Sequence, residues 1–402
     1  MAASERLGEE PYRAFSPHEA PLYVHVPFCA GACAYCDFYS VAVKPDDLRI
    51  GRFVDVLLEE GDRLFGTFRP ETVPTLYIGG GTPSVLGAAG IGRLLAGLSR
   101  RIAAFAPPPL EITVEANPES ADEAFLAAAR EGGATRLSLG VQTLHGPSRL
   151  AVGRIGGASQ LRQLAMAAAY FPGGLSLDLI SGLPFQDEGV LLDDIDAVLA
   201  YAPAHVSLYA LTLDPETSLA APLPSSDKAD SLWLLGRDAL EKAGYRQYEV
   251  SNFSLNGKES RHNIRYWLMQ NWLALGPAAS ATIVSDETGG GFRYTIPPEA
   301  DRWLEAGGCR FSGDGGYRPQ IEALGTQSLI KETFLMGFRY IEGPDETLFH
   351  HRFARNIEDC IPKTIAAWRG RGLFREGRCA LTKSGLLLLN RFLVEAFEEL
   401  EG

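Results

Sequence analysis

The feature that most constrains the fold is a regular alternation of short apolar runs with longer amphipathic stretches, which begins at residue 21. Most of the runs are apolar on both faces, and stretches of helical period lie between them. This combination is typical of a parallel sheet covered by helices, so six βα units and an α/β fold are predicted. The runs begin at residues 21, 75, 111, 136, 175 and 205 and are PLYVHVPF, TLYIGGG, EITVEAN, RLSLGVQT, LSLDLISGLP and HVSLYALTL.

Unusual residues stand at the carboxyl end of nearly every predicted strand. In barrel-type α/β folds the active site is built from residues at this edge. The pattern therefore predicts one site at the carboxyl edge of a full or partial barrel. After the cysteines that follow the first strand, the strand-end residues are Gly79 to Pro83, Glu115, Asn117, Gly140, Gln142, Asp178, Tyr209 and Ala210.

Three of the six cysteines lie in one short loop, PFCAGACAYCDF, with the spacing C-x3-C-x2-C. Cys29, Cys33 and Cys36 cannot close a disulfide framework, because one thiol is always left over. A structural zinc site normally has four ligands, and the next cysteine, Cys309, lies across the predicted domain boundary. Zinc and three unligated thiols are the alternatives to the favoured interpretation, an iron–sulfur cluster with one iron open to an external ligand.

Composition and charge argue against several classes of protein. Lys and Arg number 37 against 50 Asp and Glu, and the net charge of −13 argues against a broad nucleic-acid-binding surface. Every apolar run is shorter than the ~18 residues of a membrane span. The first residues lack the apolar core of a signal peptide, and the other cysteines are scattered, as in a reducing compartment. We expect a soluble, cytoplasmic protein with no membrane span and no nucleic-acid partner.

A second, smaller domain is predicted beyond the polar, glycine-rich run SDETGGGF at residues 285–292. Helical patterns follow this run, and then come the predicted hairpin LFREGRCALT and the predicted helix SGLLLLNRFLVEAFEEL. Helices followed by a short hairpin are typical of a winged-helix-like module. The segment has no concentrated basic stripe, so DNA binding is not expected.

Nine short motifs, present in order, carry a resemblance to a known family. The C-x3-C-x2-C loop directly after a first barrel strand resembles the radical S-adenosylmethionine (SAM) superfamily. Over about residues 21 to 400, the full set resembles the branch that contains the oxygen-independent coproporphyrinogen III oxidase HemN and the heme chaperone HemW. The motifs are L-Y-V-H-V-P-F-C, C-x-Y-C-D-F, I-G-G-G-T-P, E-x-N-P-E, L-S-L-G-V-Q, G-R, D-L-I-S-G-L-P, H-V-S-L-Y-A-L-T and R-H-N-I-R-Y-W.

The resemblance implies a fold and a division into domains. The expected fold is α/β, a partial (β/α)6-type TIM barrel with a C-terminal, mostly helical, winged-helix-like domain. Residues 1–20 are expected to form an N-terminal extension and residues 21–285 the radical SAM partial barrel. Residues 286–295 are expected to be a linker, and residues 296–402 a C-terminal HemN-type domain.

The resemblance also implies cofactors and residue roles. Cys29, Cys33 and Cys36 are expected to ligate a 4Fe-4S cluster whose fourth iron is chelated by the amino and carboxylate groups of SAM. In the family, one electron from the cluster cleaves the sulfonium of SAM to give a 5′-deoxyadenosyl radical. Without the resemblance, the arginine of the run GRIGG would be assigned to the surface. The residues expected to bind SAM are Tyr23, Tyr35, Gly80, Gly81, Thr82, Glu115, Gln142, Arg154, Asp178 and Ala210.

One position separates the two subgroups of this branch. The oxidase pattern has a further cysteine two residues after the third, and here that residue is Phe38. The C-D-F form resembles the chaperone group, as does a start without the long N-terminal arm of the oxidases. The sequence departs from the chaperone group at one place. Chaperone-group sequences tend to carry a histidine soon after the G-R pair, whereas Ile155-Gly156-Gly157 follows Arg154 here.

The segment from His262 to Trp267 matches H-N-x-x-Y-W, which is associated with heme binding in the chaperone group. Histidine is a common axial ligand of heme iron, and aromatic rings can stack on a porphyrin. The resemblance therefore implies that His262, Tyr266 and Trp267 bind heme near the mouth of the barrel. Without the resemblance, the same residues predict a packed Tyr–Trp pair beside a hydrogen-bonded histidine.

These expectations combine into a heme chaperone that binds heme and a SAM-ligated 4Fe-4S cluster and delivers heme to an acceptor protein that the sequence does not identify. An electron donor is expected as a second partner. Coproporphyrinogen oxidase activity is not expected, because Phe38 replaces the extra cysteine. The alternatives are an oxygen-independent coproporphyrinogen III oxidase of heme biosynthesis and a radical SAM enzyme that acts on an unknown substrate.

Overall fold

The computed structural model describes residues 17–154, 160–213, 217, 219, 221–285, 289–311 and 315–401, so most of the predicted N-terminal extension and the Ile155-Gly156-Gly157 segment lie outside the described residues. The strands are β1 (Leu22–Val26), β2 (Phe28–Cys29), β3 (Val41–Ala42), β4 (Thr75–Gly80), β5 (Glu111–Ala116), β6 (Arg136–Gln142), β7 (Leu175–Ser181), β8 (His205–Ala210), β9 (Arg246–Gln247), β10 (Asn252–Ser254), β11 (Leu273–Leu275), β12 (Ser280–Val284), β13 (Gly291–Thr295) and β14 (Gln320–Leu324). The α-helices are α1 (Leu48–Phe68), α2 (Gly87–Ala103), α3 (Glu123–Glu131), α4 (Gly146–Ala151), α5 (Gln160–Tyr170), α6 (Glu188–Leu199), α7 (Ser226–Lys242), α8 (Arg261–Trp267), α9 (Ala300–Glu305), α10 (Thr326–Gly337), α11 (Glu346–Phe353), α12 (Ile357–Cys360), α13 (Pro362–Gly370), α14 (Lys383–Leu386) and α15 (Leu389–Glu401).

Nine of these strands form one sheet in the order β11-β1-β4-β5-β6-β7-β8-β10-β9. Strands β1, β4, β5, β6, β7 and β8 are all parallel and are connected through helices, which confirms the six predicted βα units. β11 adds a further parallel strand beside β1, and β10 lies antiparallel to β8. Since the sheet ends at β11 and β9 in the described part of the chain, the predicted partial barrel is confirmed.

The sheet is stabilised by the apolar side chains that its strands bury against the covering helices. The other face carries buried polar side chains such as Thr113, Ser176 and Ser207, so the prediction that most strands are apolar on both faces is wrong. Leu22, Val24, Leu76 and Ile78, from two neighbouring strands, are fully buried. Burial of one such side chain stabilises a fold by about 1.5–3 kcal/mol. Helices cover the sheet, and none of those in the described residues is both long and apolar enough to cross a membrane.

A second sheet, β12-β13-β14, is antiparallel and packs against the barrel, while Val284 and Leu324, at the ends of β12 and β14, belong to the core of the C-terminal helices. The ring of Phe68 at the end of α1 stacks on Phe292 and Tyr294 of β13, with centroids 6.4 and 5.8 Å apart. β13 pairs in register with both neighbours, so a hydrogen-bonded strand occupies residues 291–295 of the segment expected to be a linker. Residues 286–288 lie outside the described residues.

The C-terminal region is mostly helical, as predicted, and has its own core. Trp368, Phe334 and Phe392 are fully buried there, and the rings of Trp368 and Phe392 meet edge to face at 5.1 Å. The predicted hairpin LFREGRCALT has a single bridge between Phe374 and Leu381. The last predicted helix is divided into α14 and α15.

Candidate functional site

A cavity of about 450 Å³ opens at the carboxyl edge of the parallel strands. This volume falls within the ~300–1,000 Å³ that is usual for small-molecule sites. Residues at or after the ends of β1, β4, β5, β6, β7 and β8 contribute to its wall, so the single strand-end site expected from the sequence is present. Of the residues predicted to bind the cluster or SAM, those that line the cavity are Cys29, Cys33, Tyr35, Cys36, Gly80, Gly81, Thr82, Glu115, Gln142, Arg154, Asp178 and Ala210.

The cysteine loop presents its thiols to this cavity. Cys29 and Cys33 are half-buried and Cys36 is exposed, whereas the other three cysteines of the chain are buried. The Sγ atom of Cys29 lies 3.3 Å from Oγ1 of Thr82, on the loop after β4. The loop turns tightly where the N–H of Cys36 donates to the carbonyl of Cys33 at 3.2 Å. Accessible thiols on one short loop can ligate an inorganic group.

The arrangement does not support the zinc alternative. Among the described residues, no group of three His, Cys, Asp or Glu side chains converges tightly enough to hold a single metal ion. Zinc thiolates would each have to lie ~2.3 Å from one ion. Cys309 is fully buried, and its N–H donates to Glu60 at 2.5 Å. Three accessible thiols on one loop that lines the cavity suit an iron–sulfur cluster, which cysteine thiolates hold.

The glycine turn after β4 requires its glycines. Gly80 has φ +106, and a Cβ there would come within 2.7 Å of the His25 ring. A Cβ on Gly81 would come within 2.6 Å of the carbonyl oxygen of Phe28. The N–H groups of Gly81 and Thr82 donate to Val26 and Phe28 at 2.8 and 2.7 Å. The turn can therefore offer a ligand its carbonyls and the Thr82 hydroxyl, which are acceptors suited to an ammonium group.

Two half-buried carboxylates, Glu115 and Asp178, face the cavity. Glu115 accepts a hydrogen bond from the Tyr77 hydroxyl at 2.6 Å, and Asp178 accepts from the Ser207 hydroxyl at 2.7 Å. Burial, together with the nearby Asp178, raises the pKa of Glu115 to about 7, although the hydrogen bond from Tyr77 acts in the opposite direction. Burial also raises the pKa of Asp178. Carboxylates in apolar strands are costly unless they have partners, so a ligand that is cationic or rich in hydroxyl groups would be favoured here.

Arg154 lies inside the site and not on the surface. Its side chain is 6% exposed, and Nη2 donates to Oδ1 of Asn117 at 3.0 Å and to the carbonyl of Gly140. Nη1 lies 3.4 Å from the Tyr35 hydroxyl and 3.9 Å from the Cys33 Sγ atom. The match to the family motif G-R therefore predicted the location of Arg154 correctly. Without that match, the run GRIGG would have assigned this arginine to the surface.

Polar atoms without partners mark the same wall. Gln142 has φ +66, uncommon for a residue other than glycine, at an irregularity in the pairing of β6 with β7. Neither Oε1 of Gln142 nor Nε of Arg154 has a hydrogen-bond partner among the described residues. Buried polar groups are normally paired, and strained backbone is concentrated at functional sites. A zwitterionic ligand could donate a hydrogen bond to Oε1 of Gln142 and accept one from Nε of Arg154.

Comparison with known proteins agrees with this chemistry. A family model described as the radical SAM superfamily matches residues 23–198. Radical S-adenosyl methionine domain-containing protein 1, mitochondrial, from Mus musculus is 33% identical over 99% of this chain and 91% of its own length. Heme chaperone HemW from Lactococcus lactis subsp. lactis (strain IL1403) is 32% identical over 85% of this chain and 87% of its own. The chain belongs to the HemN/HemW branch of the radical SAM superfamily.

A solved structure supports the fold of this branch. Coproporphyrinogen III oxidase (HemN) from Escherichia coli superposes with a TM-score of 0.76, covering 96% of this chain and 91% of that chain, at 20% identity. The nine-motif resemblance is thus confirmed at the level of the branch. Membership in a radical SAM family implies a 4Fe-4S cluster and SAM as cofactors. The thiols, acceptors and arginine of the cavity fit both groups.

Tyr23 is the predicted SAM residue that does not line the cavity of this radical SAM protein. Its hydroxyl donates to Nδ1 of His25 at 3.0 Å, and Nε2 of His25 donates to the carbonyl of Tyr39 at 2.9 Å. Burial raises the pKa of Tyr23. The His25 ring lies against Gly80, so Tyr23 supports the glycine turn through His25. Direct contact between Tyr23 and SAM stays a prediction.

The heme motif lies at the opposite edge of the barrel. Nδ1 of His262 is 2.8 Å from Oγ1 of Thr75, the first residue of β4. The N–H groups of Arg261 and His262 donate to Glu111, the first residue of β5, at 3.1 and 3.0 Å. First residues of parallel strands lie at the amino edge, away from the cavity. The predicted position of His262 near the mouth is therefore wrong.

His262 is also fully engaged where it lies. Its Nε2 is 2.8 Å from the Tyr266 hydroxyl, the side chain is buried, and burial lowers its pKa to about 3. Trp267 is half-buried, and its Nε1 has no partner among the described residues. This geometry favours the packing alternative. Heme binding by His262, Tyr266 and Trp267 stays a prediction that requires α8 to give up these bonds.

Asn117 is a site residue to which no role was assigned from the sequence. It lines the cavity and joins Thr82 to Arg154 through its side-chain amide. Its position two residues after Glu115 placed it at the end of the same strand, which was the available signal. Its partners could not be read from the sequence, because they lie on two other loops.

Proposed function

We propose that this protein is a heme chaperone of the HemW type that carries heme and retains a SAM-binding 4Fe-4S centre. The observation that carries the proposal is Phe38. An apolar ring, 65% exposed, stands on the cavity wall where the oxidase pattern has a further cysteine. A thiol is therefore lacking at that position for the oxidase reaction. Relatives named heme chaperone, matched over most of both chains, support the assignment.

In this proposal Cys29, Cys33 and Cys36 hold the cluster, and the cavity beside them holds SAM. The cluster, when bound, supplies the electron that cleaves the sulfonium of SAM. The protein orients SAM through groups of matching charge, with Arg154 toward the carboxylate and Asp178 toward a ribose hydroxyl. The carbonyls of the glycine turn and the Thr82 hydroxyl accept from the amino group, while Glu115, Gln142 and Tyr35 complete the polar wall. Ala210, at the end of β8, leaves room for adenine.

The proposal also includes partners and a compartment. Heme is the cargo, and delivery requires an acceptor protein and, for turnover of SAM, an electron donor. All six cysteines are free thiols, which supports a reducing compartment such as the cytoplasm.

The experiment compares heme binding with oxidase activity in the anaerobically reconstituted protein. We expect heme uptake, followed by the Soret band, above the level of a non-heme control protein. We expect no product when the protein is incubated with coproporphyrinogen III, SAM and a reductant. Formation of protoporphyrinogen would overturn the chaperone assignment in favour of the oxidase. Absence of both heme uptake and oxidase activity would leave a radical SAM enzyme with another substrate.

A further inference from the structure

The carboxylate of Glu115 is held at both of its oxygens. Its Oε1 accepts from the Tyr77 hydroxyl at 2.6 Å, and its Oε2 accepts from the N–H of Gly80 at 3.3 Å. Tyr77 lies on β4 and Glu115 on β5, and of these two side chains only Glu115 lines the cavity. The phenol therefore holds the carboxylate from outside the cavity and leaves its cavity side open to a ligand.

Gly79 makes room for this pair of side chains. A Cβ at Gly79 would come within 2.8 Å of Cδ and Oε2 of Glu115, and within 2.9 Å of Cε1 of Tyr77. The backbone of Gly79 does not itself require glycine, because its φ is not positive. The space that Tyr77 and Glu115 occupy therefore accounts for the glycine at this position.

The Tyr77 ring is packed between two other rings. Its centroid lies 6.3 Å from that of Tyr23 on β1 and 5.1 Å from that of His262 on α8. Burial raises the pKa of Tyr77, so the phenol keeps the proton that it donates to Glu115. A donor that is oriented in advance stabilises a charge without the entropic cost of ordering the donor.

We propose that Tyr77 is a positioning residue for SAM, which directs the Glu115 carboxylate into the cavity and favours its charged form. This inference rests on the SAM-binding centre proposed above, and it adds a residue to which no role was assigned from the sequence. A hydrogen bond donated by a phenol favours the charged form of a carboxyl group. The charged form suits SAM, because SAM carries a sulfonium and hydroxyl donors.

Other ionisable groups also face Glu115 from the neighbouring elements. Burial and Asp178 on β7 raise the pKa of Glu115 to about 7, whereas the bond from Tyr77 and the charge of Arg136 on β6 act in the opposite direction. Without the bond from Tyr77, the pKa of Glu115 should rise further, and the carboxylate would form only at higher pH. The remaining groups are three phenols whose raised pKa values keep them neutral near pH 7, namely Tyr23, Tyr209 and Tyr266.

The test is the affinity of the full-length, cluster-loaded protein for SAM, measured by calorimetry below and above pH 7. Asp178, whose pKa is also raised, and the amino group of SAM can titrate too, so Glu115→Gln supplies the background profile. We expect the advantage of the wild type over Glu115→Gln to grow as the pH rises through about 7, where Glu115 becomes charged. In Tyr77→Phe the same gain should require a higher pH, and at pH 7 SAM should bind about threefold to tenfold more weakly.

Two further variants separate positioning from a general structural effect. Because Tyr77 acts through Glu115, Tyr77→Phe should have no further effect on SAM affinity in the Glu115→Gln protein. Tyr245→Phe is the control, because it also removes a phenol hydroxyl with a partner, the carbonyl of Pro203 at 2.5 Å, and does not line the cavity. Its SAM affinity should follow the wild-type profile.

The outcomes separate this inference from the function on which it rests. If Tyr77→Phe binds SAM with the wild-type profile, or more weakly by the same factor at every pH, the positioning role is overturned and the SAM centre stands. If the profiles of the wild type and Glu115→Gln run parallel, the charge of Glu115 has no role, and the role of Tyr77 is overturned with it. Failure of the cluster-loaded wild type to bind SAM would overturn both this inference and the SAM centre.

Discussion

At the scale of single residues, one amide connects the parts of the cavity. Nδ2 of Asn117 donates to Oγ1 of Thr82 at 3.1 Å, and its Oδ1 accepts from Nη2 of Arg154 at 3.0 Å. Thr82 in turn contacts the thiol of Cys29. Asn117 thus positions the guanidinium and the glycine turn without being a cluster ligand.

The Asn117→Ala variant should weaken SAM binding and leave the cluster in place. Loss of hydrogen bonds to Thr82 and Arg154 should cost about 1–3 kcal/mol of SAM binding free energy. The measurement is calorimetry of SAM binding to cluster-loaded protein, together with iron content. Asn252→Ala is the control, because Asn252 lies on β10 and does not line the cavity. Equal affinities in the two variants would show that Arg154 is held without Asn117.

The cysteines give a second prediction at this scale. Replacing Cys29 with Ala should abolish the brown absorbance and the bound iron of anaerobically purified protein, because the cluster would keep only two thiolate ligands. Cys309→Ala should retain both, since that thiol is buried away from the cavity. Loss of iron from the Cys309 variant would indicate a four-cysteine centre and contradict the open iron position.

At the scale of elements, the sequence predicted what depends on local pattern. The strands from β1 to β8 that form the barrel are short apolar runs with recognisable ends, so their order and their strand-end residues followed directly. β11 could not be predicted, because LAL is three residues long and is a strand only through its pairing with β1. Likewise, the H-N-x-x-Y-W motif could be recognised in the sequence. The edge of the barrel at which α8 lies could not be predicted, because it depends on hydrogen bonds to Thr75 and Glu111, which are distant in the chain.

The anchoring of α8 should make stability depend on pH. His262 has a pKa lowered to about 3, whereas an exposed histidine has one near 6.5, so the unfolded chain takes up a proton first as the pH falls. Stability is therefore present above about pH 6.5 and is lost as the pH falls toward the folded pKa, by about 2 kcal/mol at pH 5. The His262→Gln variant, which does not titrate, should lose less stability than the wild type between pH 7 and pH 5.

The measurement for α8 is the midpoint of urea unfolding at the two pH values. His350→Gln, in which an exposed histidine is replaced, should keep the pH dependence of the wild type. If the His262 variant shows the same loss as the wild type, the imidazole is not buried and neutral in solution. That result would revive its availability to heme iron.

At the scale of the whole molecule, one carboxylate joins segments that are distant in the chain. Glu60 on α1 is fully buried. Its Oε1 accepts from the N–H of Gly276 at 2.8 Å, and its Oε2 accepts from Nε1 of Trp303 and from the N–H of Cys309, each at 2.5 Å. The first helix of the barrel thus holds the residue after β11, α9 and the chain beyond α9.

The Glu60→Gln variant should therefore destabilise the protein as a whole. All three partners are N–H donors, and an amide offers one oxygen and one NH2 group, so at least one donor would face another donor. The free energy of unfolding should fall by about 1–3 kcal/mol, the cost of leaving a buried donor without an acceptor. Thermal and urea unfolding of the purified protein measure this loss. Glu59→Gln is the control, because the neighbouring Glu59 is exposed on the same helix and its replacement should have little effect. Equal stability of the two variants would mean that α1, β11 and α9 are held together by their apolar contacts and that the buried carboxylate is dispensable.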